Sequence, residues 1–295
     1  MKVLAASALL SLLSSVSGSP VDIRAEKTTS VLSAPQTTQT SSSVYDWSAK
    51  WESKFHIHQS CNSTLRAQLE TALDETVQLA QHARDHLLAF GNSSDLVVKY
   101  FGNGSTAGPI GWYDRVVAAN KEGVIFRCDD PDKNCATQNG WAGHWRGSNA
   151  TSETVICDLS FQIRRRLNSM CGLGYTVAGS KLNTFWATDL LHRVFHVPAI
   201  SEGIVDHYID GYNDALQQAK EKPELSQHDS NVLQYFAVDA WAYDIAAPGV
   251  GCTGKAAESS SSHSSPTSTQ SSAPSATSDS PKECHTHSDG VVHCS

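Results

Sequence analysis

The chain has 295 residues, with 22 Lys and Arg against 30 Asp and Glu, for a formal net charge of −8 with histidines neutral. That balance excludes nucleic acid as the natural partner, because phosphate binding needs a basic face. Thirteen histidines and eight cysteines are the chemically pointed part of the composition.

The chain opens with Met1-Lys2, a short apolar run to Leu13 and small residues near Gly18. This pattern reads as a secretory signal peptide over residues 1–18, too short to span a bilayer as a helix. Secretion places the eight cysteines in an oxidising compartment, where an even count favours disulfides. Residues 19–45 are rich in Ser and Thr and form a flexible segment. Residues 46–254 hold nearly all the Trp, Tyr and Phe, and such a length makes one domain able to bury its own core. Residues 255–281 form a Ser/Pro-rich linker, and residues 282–295 a separate Cys/His tail. Sequons begin at Asn62, Asn92, Asn103 and Asn149, and mark glycosylation. Asn62 and Asn92 also stand where a helix would start and stop, so capping is their alternative role.

Within the domain, Leu65, Leu69, Leu73, Val77, Ala80 and Leu87 fall on one stripe and predict a helix over Ser63–Phe90, ended by Gly91-Asn92. Residues 98–135 contain Gly, Asn and Pro turns around short apolar runs, including Arg115-Val116-Val117 and Val124-Ile125-Phe126, which predict strands or hairpins. Further helices are expected over Thr184–His196, Ile204–Lys220 and Ser230–Ile245. The fold class is mainly α with a small β-sheet, an α+β domain.

The segment LLHRVFHVPAISEGIVDHYIDGY, residues 190–212, carries the strongest chemical signal. His192 and His196 are four apart, so they project from one face of a helix and can share a metal. Pro198 disfavours helix at Val197, so the helix should stop after His196. A turn over Ala199–Gly203 then returns Asp206 and His207 toward the first two. Three imidazoles form a zinc site, with His207 favoured as the third ligand and Asp206 its alternative. Asp189 lies one turn before His192 and could orient a ligand ring by accepting its other proton. The position that carries the general-base Glu in a His-Glu-x-x-His peptidase is Arg193, whose guanidinium cannot take a proton. Its ordinary role is a solvated helix residue. Glu202 is the nearby carboxylate that could stand in as base, in a different geometry.

The tail CHTHSDGVVHC brackets His285, His287 and His293 between Cys284 and Cys294. A disulfide would gather the three histidines, whereas reduced cysteines would join them as ligands; either arrangement binds metal. His82 and His86 are also one turn apart, but Arg84 and Asp85 between them suggest a solvated face. His56 and His58 alternate as on a strand. His144, between Trp141 and Trp145, reads as a hydrogen-bonded member of an aromatic cluster.

Beyond these short patterns, the runs FRCDDPDKNCA, AGHWRGSNATSETVICD, GYTVAGSKLNTFWATDLLHRVFHVPA, YFAVDAWAYDIAAPGVGC and CHTHSDGVVHC resemble the secreted fungal pH-regulated antigens, a family that includes major allergens and zincophores. The resemblance spans about residues 46–254 and the tail. It implies scavenging of extracellular Zn2+, its return through a plasma-membrane zinc transporter, a cell-surface or cell-wall location and contacts with host complement proteins; homo-oligomerisation stays open. The domain also looks like the deuterolysin-type zinc peptidases, which are zincin-like and follow their two helical histidines with Gly-Thr-x-Asp. Matched without gaps, Gly-Thr falls on Ile204-Val205, the ligand Asp on His207 and the catalytic Glu on Arg193. A one-residue shift would make Asp206 the ligand. The same resemblance implies pairing Cys61 with Cys128, Cys135 with Cys157, Cys171 with Cys252 and Cys284 with Cys294. The expectation is a disulfide-stapled, catalytically inactive zinc-binding protein. The alternatives are an active metallopeptidase with another base, and a host- or wall-interaction protein with structural zinc.

Overall fold

The computed structural model describes residues 45–255 and two short strands at 284–286 and 292–294. The expected signal peptide, the Ser/Thr segment up to residue 44, nearly all of the expected linker and His287 lie outside the described residues. No described helix is long and apolar enough to cross a membrane.

Strand β1 (His56–Ile57) leads into α1 (Ser63–Phe90). The expected bounds of this helix hold. Asn62 Oδ1 accepts from the amides of Thr64 and Leu65, both at 3.0 Å, and satisfies two otherwise unpaired donors of the first turn. At the other end Gly91, with φ 48°, takes a conformation that costs a Cβ-bearing residue dearly. Leu69, Leu73, Leu79, Ala80, Ala83 and Leu87 are buried along its inner side.

The next stretch corrects the expectation of strands. Arg115-Val116-Val117 lies in α3 (Ala107–Ala118), which follows α2 (Asp95–Phe101). Pro109, Tyr113 and Val116 recur at three- and four-residue steps and are all buried, so helical periodicity prevails over the local Gly and Pro. The Val124–Phe126 run does supply a strand, β2 (Ile125–Arg127). A short α4 (Asn134–Thr137), β3 (Gly143–Trp145), β4 (Glu153–Ile156) and α5 (Asp158–Ile163) follow. The sheet order is β1-β2-β4-β3, with β3 the antiparallel edge.

The C-terminal half is helical: α6 (Trp186–His196), α7 (Pro198–Ser201), α8 (Tyr212–Glu221), α9 (Pro223–Ser226) and α10 (Ser230–Trp241), which continues as a π-turn over Ala242–Ala246. Helix was expected from Ile204, but it begins only at Tyr212. The intervening backbone is committed elsewhere: Asp206 donates its amide to His228 O (3.0 Å) and accepts from the Ser230 amide (2.8 Å). The Tyr208 amide goes to Asp229 Oδ2 at 2.8 Å. These bonds satisfy the main chain without an i to i−4 ladder.

Helix α1 is the central column, packed by α3, α6 and α10. Disulfides join Cys61 to Cys128, Cys135 to Cys157 and Cys171 to Cys252, the pairs the resemblance implied. Each closes a long or irregular connection, a kind of cross-link worth about 2–4 kcal/mol. The tail strands β5 (Cys284–Thr286) and β6 (Val292–Cys294) pair antiparallel, with Cys284 opposite Cys294 and His285 opposite His293. Strand β5 lies against β3.

Candidate metal centre

Helix α6 is buried from Trp186 to Phe195, and only His196 reaches the half-exposed end. The helix stops where Pro198 requires: Val197 is extended, at φ −83° and ψ 120°. After α7, Glu202 and Gly203 both take positive φ and reverse the chain. The return brings His207 onto the two histidines of α6. His196 Nε2 lies 3.1 Å from His192 Nε2 and 3.2 Å from His207 Nε2. One ring nitrogen from each of the three falls within 4.8 Å of the others. Three converging imidazoles are the donor set that Zn2+ takes in three-histidine sites. His192 is buried while His196 and His207 are half-buried, so the cluster is reached from one side. Trp145 of β3 stacks on His196, with a ring-centroid distance of 6.5 Å and an interplanar angle of 12°.

The ring of His192 has its tautomer set from behind by α10. Gln234 donates its amide hydrogens to Asn183 Oδ1 (2.8 Å) and to the Thr188 carbonyl (2.9 Å). Its Oε1 therefore accepts, and it faces His192 Nδ1 at 3.3 Å. Protonation at Nδ1 leaves the lone pair of this imidazole on Nε2, toward the cluster. Ser230 Oγ lies 3.5 Å from the same Nδ1.

This corrects the expected role of Asp189. Its carboxylate does not orient a histidine; it receives Arg193 Nε at 3.0 Å and Arg193 Nη2 at 2.9 Å, and Arg164 Nη2 at 3.0 Å. Asp189, Arg193 and Arg164 are all buried, their side chains 0, 5 and 2 % exposed. Burial alone would push the Asp189 carboxyl up, but the two guanidiniums outweigh it and hold it below the ordinary carboxylate range. Arg193 is thus no solvated helix residue. Its guanidinium also lies against β3: a Cβ on Gly143 would fall 2.8 Å from Arg193 Nη1 and 2.3 Å from the Val155 carbonyl, so the close approach requires glycine.

Glu202 caps α7 and pairs with Arg115, which gives the carboxylate a partner other than the histidines. Asp206 lies outside the three-residue group, and its Oδ1 accepts from the His207 amide at 2.8 Å. His144 Nε2 contacts Asp132 Oδ2 at 3.3 Å and its ring packs near Trp141, as expected of an aromatic-cluster residue. All four sequon asparagines are exposed. His285 and His293 stand opposite each other in the tail hairpin.

Sequence reasoning missed Gln234, although a lone amide in the apolar run Val232-Leu233-Gln234-Tyr235-Phe236 was a usable signal.

Comparison with known proteins agrees with the resemblance. The model of the family "HRXXH: Putative peptidase family" matches residues 7–255. The major allergen Asp f 2 of Aspergillus fumigatus is 49% identical over 271 residues, covering 85% of this chain and 87% of that one. The pH-regulated antigen PRA1 of Candida albicans is 49% identical over 211 residues, covering 71% and 70%. Among solved structures, a zinc peptidase from Grifola frondosa aligns with a TM-score of 0.46 and 14% identity, covering 61% of this chain and 97% of that one. The chain belongs to the HRXXH family, together with fungal antigens and allergens.

Proposed function

We propose that this protein is an extracellular zinc-binding protein that captures Zn2+ and returns it to the cell surface, and that it does not hydrolyse peptides. The observation that carries the reading is the joint state of two neighbours on α6. His192 converges with His196 and His207, while Arg193, at the position of the peptidase base, is locked in a buried pair with Asp189. A guanidinium accepts no proton, and this one cannot swing out without giving up two hydrogen bonds to a buried carboxylate.

Zinc is cargo in this reading. His192, His196 and His207 hold one ion, and His285, His287 and His293 of the tail take another. Strand β3 neighbours both α6 and β5, which favours transfer between the two sets. Delivery goes to a plasma-membrane zinc transporter, and imidazole protonation below about pH 6 releases the ion. The antigen and allergen names of the relatives support a secreted or wall-associated location. Glycosylation at the exposed sequons and contact with host proteins such as complement complete the reading.

The test pairs two assays on the zinc-loaded protein. Incubation with a mixed peptide library yields no cleavage, and zinc-starved cells take up labelled zinc faster when the protein is supplied. Cleavage that disappears in a His192→Ala variant would overturn the reading in favour of a peptidase with another base.

A further inference from the structure

A second cluster lies where α1 meets the π-turn that follows α10. His82 and His86, one turn apart on α1, meet Asp244 of the π-turn that follows α10. His82 Nε2 is 3.0 Å and His86 Nδ1 2.7 Å from the same oxygen, Asp244 Oδ2. The expected solvated face is half right: the side chains of His82 and Asp244 are 20 and 24 % exposed, but that of His86 is 5 % exposed.

We propose that His82, His86 and Asp244 form a second divalent-cation site for zinc or a metal of similar preference, separate from the His192 cluster. One ligand atom from each residue lies within 4.8 Å of the other two. Ligands about 2.0–2.1 Å from a tetrahedral ion stand roughly 3.3 Å apart, so the two carboxylate–imidazole spacings need only a small expansion. Two imidazoles and a carboxylate, with a fourth position toward solvent, match the preference of zinc for nitrogen and oxygen donors.

Three further features point to a cation and not to a hydrogen-bonded cluster alone. Among the described residues no Lys or Arg pairs with Asp244, so its charge is matched only by two imidazoles. The rings are held from outside. Trp241 packs edge-on to His82 at 5.5 Å, Phe236 to His86 at 5.8 Å, and Ser94 Oγ lies 2.8 Å from His86 Nε2. Ser94 Oγ can accept the Nε2 proton, and the Nδ1 lone pair is then available to a cation shared with Asp244 Oδ2. Lastly, Asp244 is aimed by a π-turn, a rare distortion that recurs at functional sites.

The test is a calorimetric titration of the full secreted protein with Zn2+ alone. His82→Gln and Asp244→Asn are each expected to bind one equivalent fewer than the parent, and the double variant no fewer than either single one. Adding His192→Ala/His196→Ala should remove a further, independent equivalent, so failure of one site is distinguished from failure of the other. An unchanged stoichiometry in His82→Gln, with an unchanged circular dichroism spectrum, would overturn the proposal. Crystals soaked in Co2+ give a check that needs no variant. An anomalous peak in bonding distance of His82 Nε2, His86 Nδ1 and Asp244 is expected, and a site without one overturns the assignment.

Discussion

Asp189→Ala lowers stability by about 3–5 kcal/mol, because it leaves Arg164 and Arg193 buried without their shared carboxylate. For a domain of this size that corresponds to a fall in melting temperature of about 10 °C, read by calorimetry on the zinc-free protein. A change below 2 °C would mean that the buried triad contributes little. The pH dependence follows from the direction of the Asp189 shift. Its carboxyl is held below its unfolded value, so the triad's contribution is fully present above the unfolded value near pH 4. The contribution is lost as pH falls through the folded value. Acid unfolding of the parent should therefore steepen below pH 4, and that part of the acid sensitivity should be missing in Asp189→Ala.

The second large effect is on metal affinity. Gln234→Leu removes the acceptor that fixes the proton on His192 Nδ1, and partners of this kind are typically worth about 10–100-fold in affinity. Zinc binding at the His192 cluster should weaken by that factor, while the tail keeps its zinc. Gln234→Glu keeps the acceptor but loses the bonds to Asn183 and Thr188, so it should bind zinc more tightly than Gln234→Leu yet be less stable than the parent. Equal zinc affinity in Gln234→Leu and the parent would remove Gln234 from the site.

Helix α6 was legible in the sequence only in part. The spacing of His192 and His196, and the stop at Pro198, are local facts and could be read from the chain. Which element faces each side of α6 is a tertiary fact. Asp189 and Arg193 turn toward β3 and Arg164, whereas His192 turns toward α10. From sequence alone Asp189 sat one turn from His192 and took the role that belongs to Gln234, 42 residues beyond His192. The same limit applies to His82 and His86. Arg84 and Asp85 made their face look solvated, and only the π-turn beyond α10 delivers Asp244 to them.

Elsewhere, strong local signals prevailed. Helix α1 announced itself through its apolar stripe, its Asn62 cap and its Gly91 stop, and α10 through a long apolar run begun by Asp229, whose Oδ1 accepts from the Val232 amide. Helices α2 and α3 were obscured by Gly, Asn and Pro, although the buried set Pro109, Tyr113 and Val116 held a helical period. The segment from Ile204 to Gly211 was misread because its hydrogen-bond partners, residues 228–230, lie beyond two intervening helices, α8 and α9. Local propensity cannot register such partners.

The central claim is that the three histidines of α6 and its return loop hold zinc. It is tested most directly by counting zinc equivalents bound at neutral pH by the full-length protein and by His192→Ala/His196→Ala. The variant is expected to bind one equivalent fewer and to retain the zinc held by the tail. Equal stoichiometry in the two proteins would show that the convergence of His192, His196 and His207 is structural and would contradict the account.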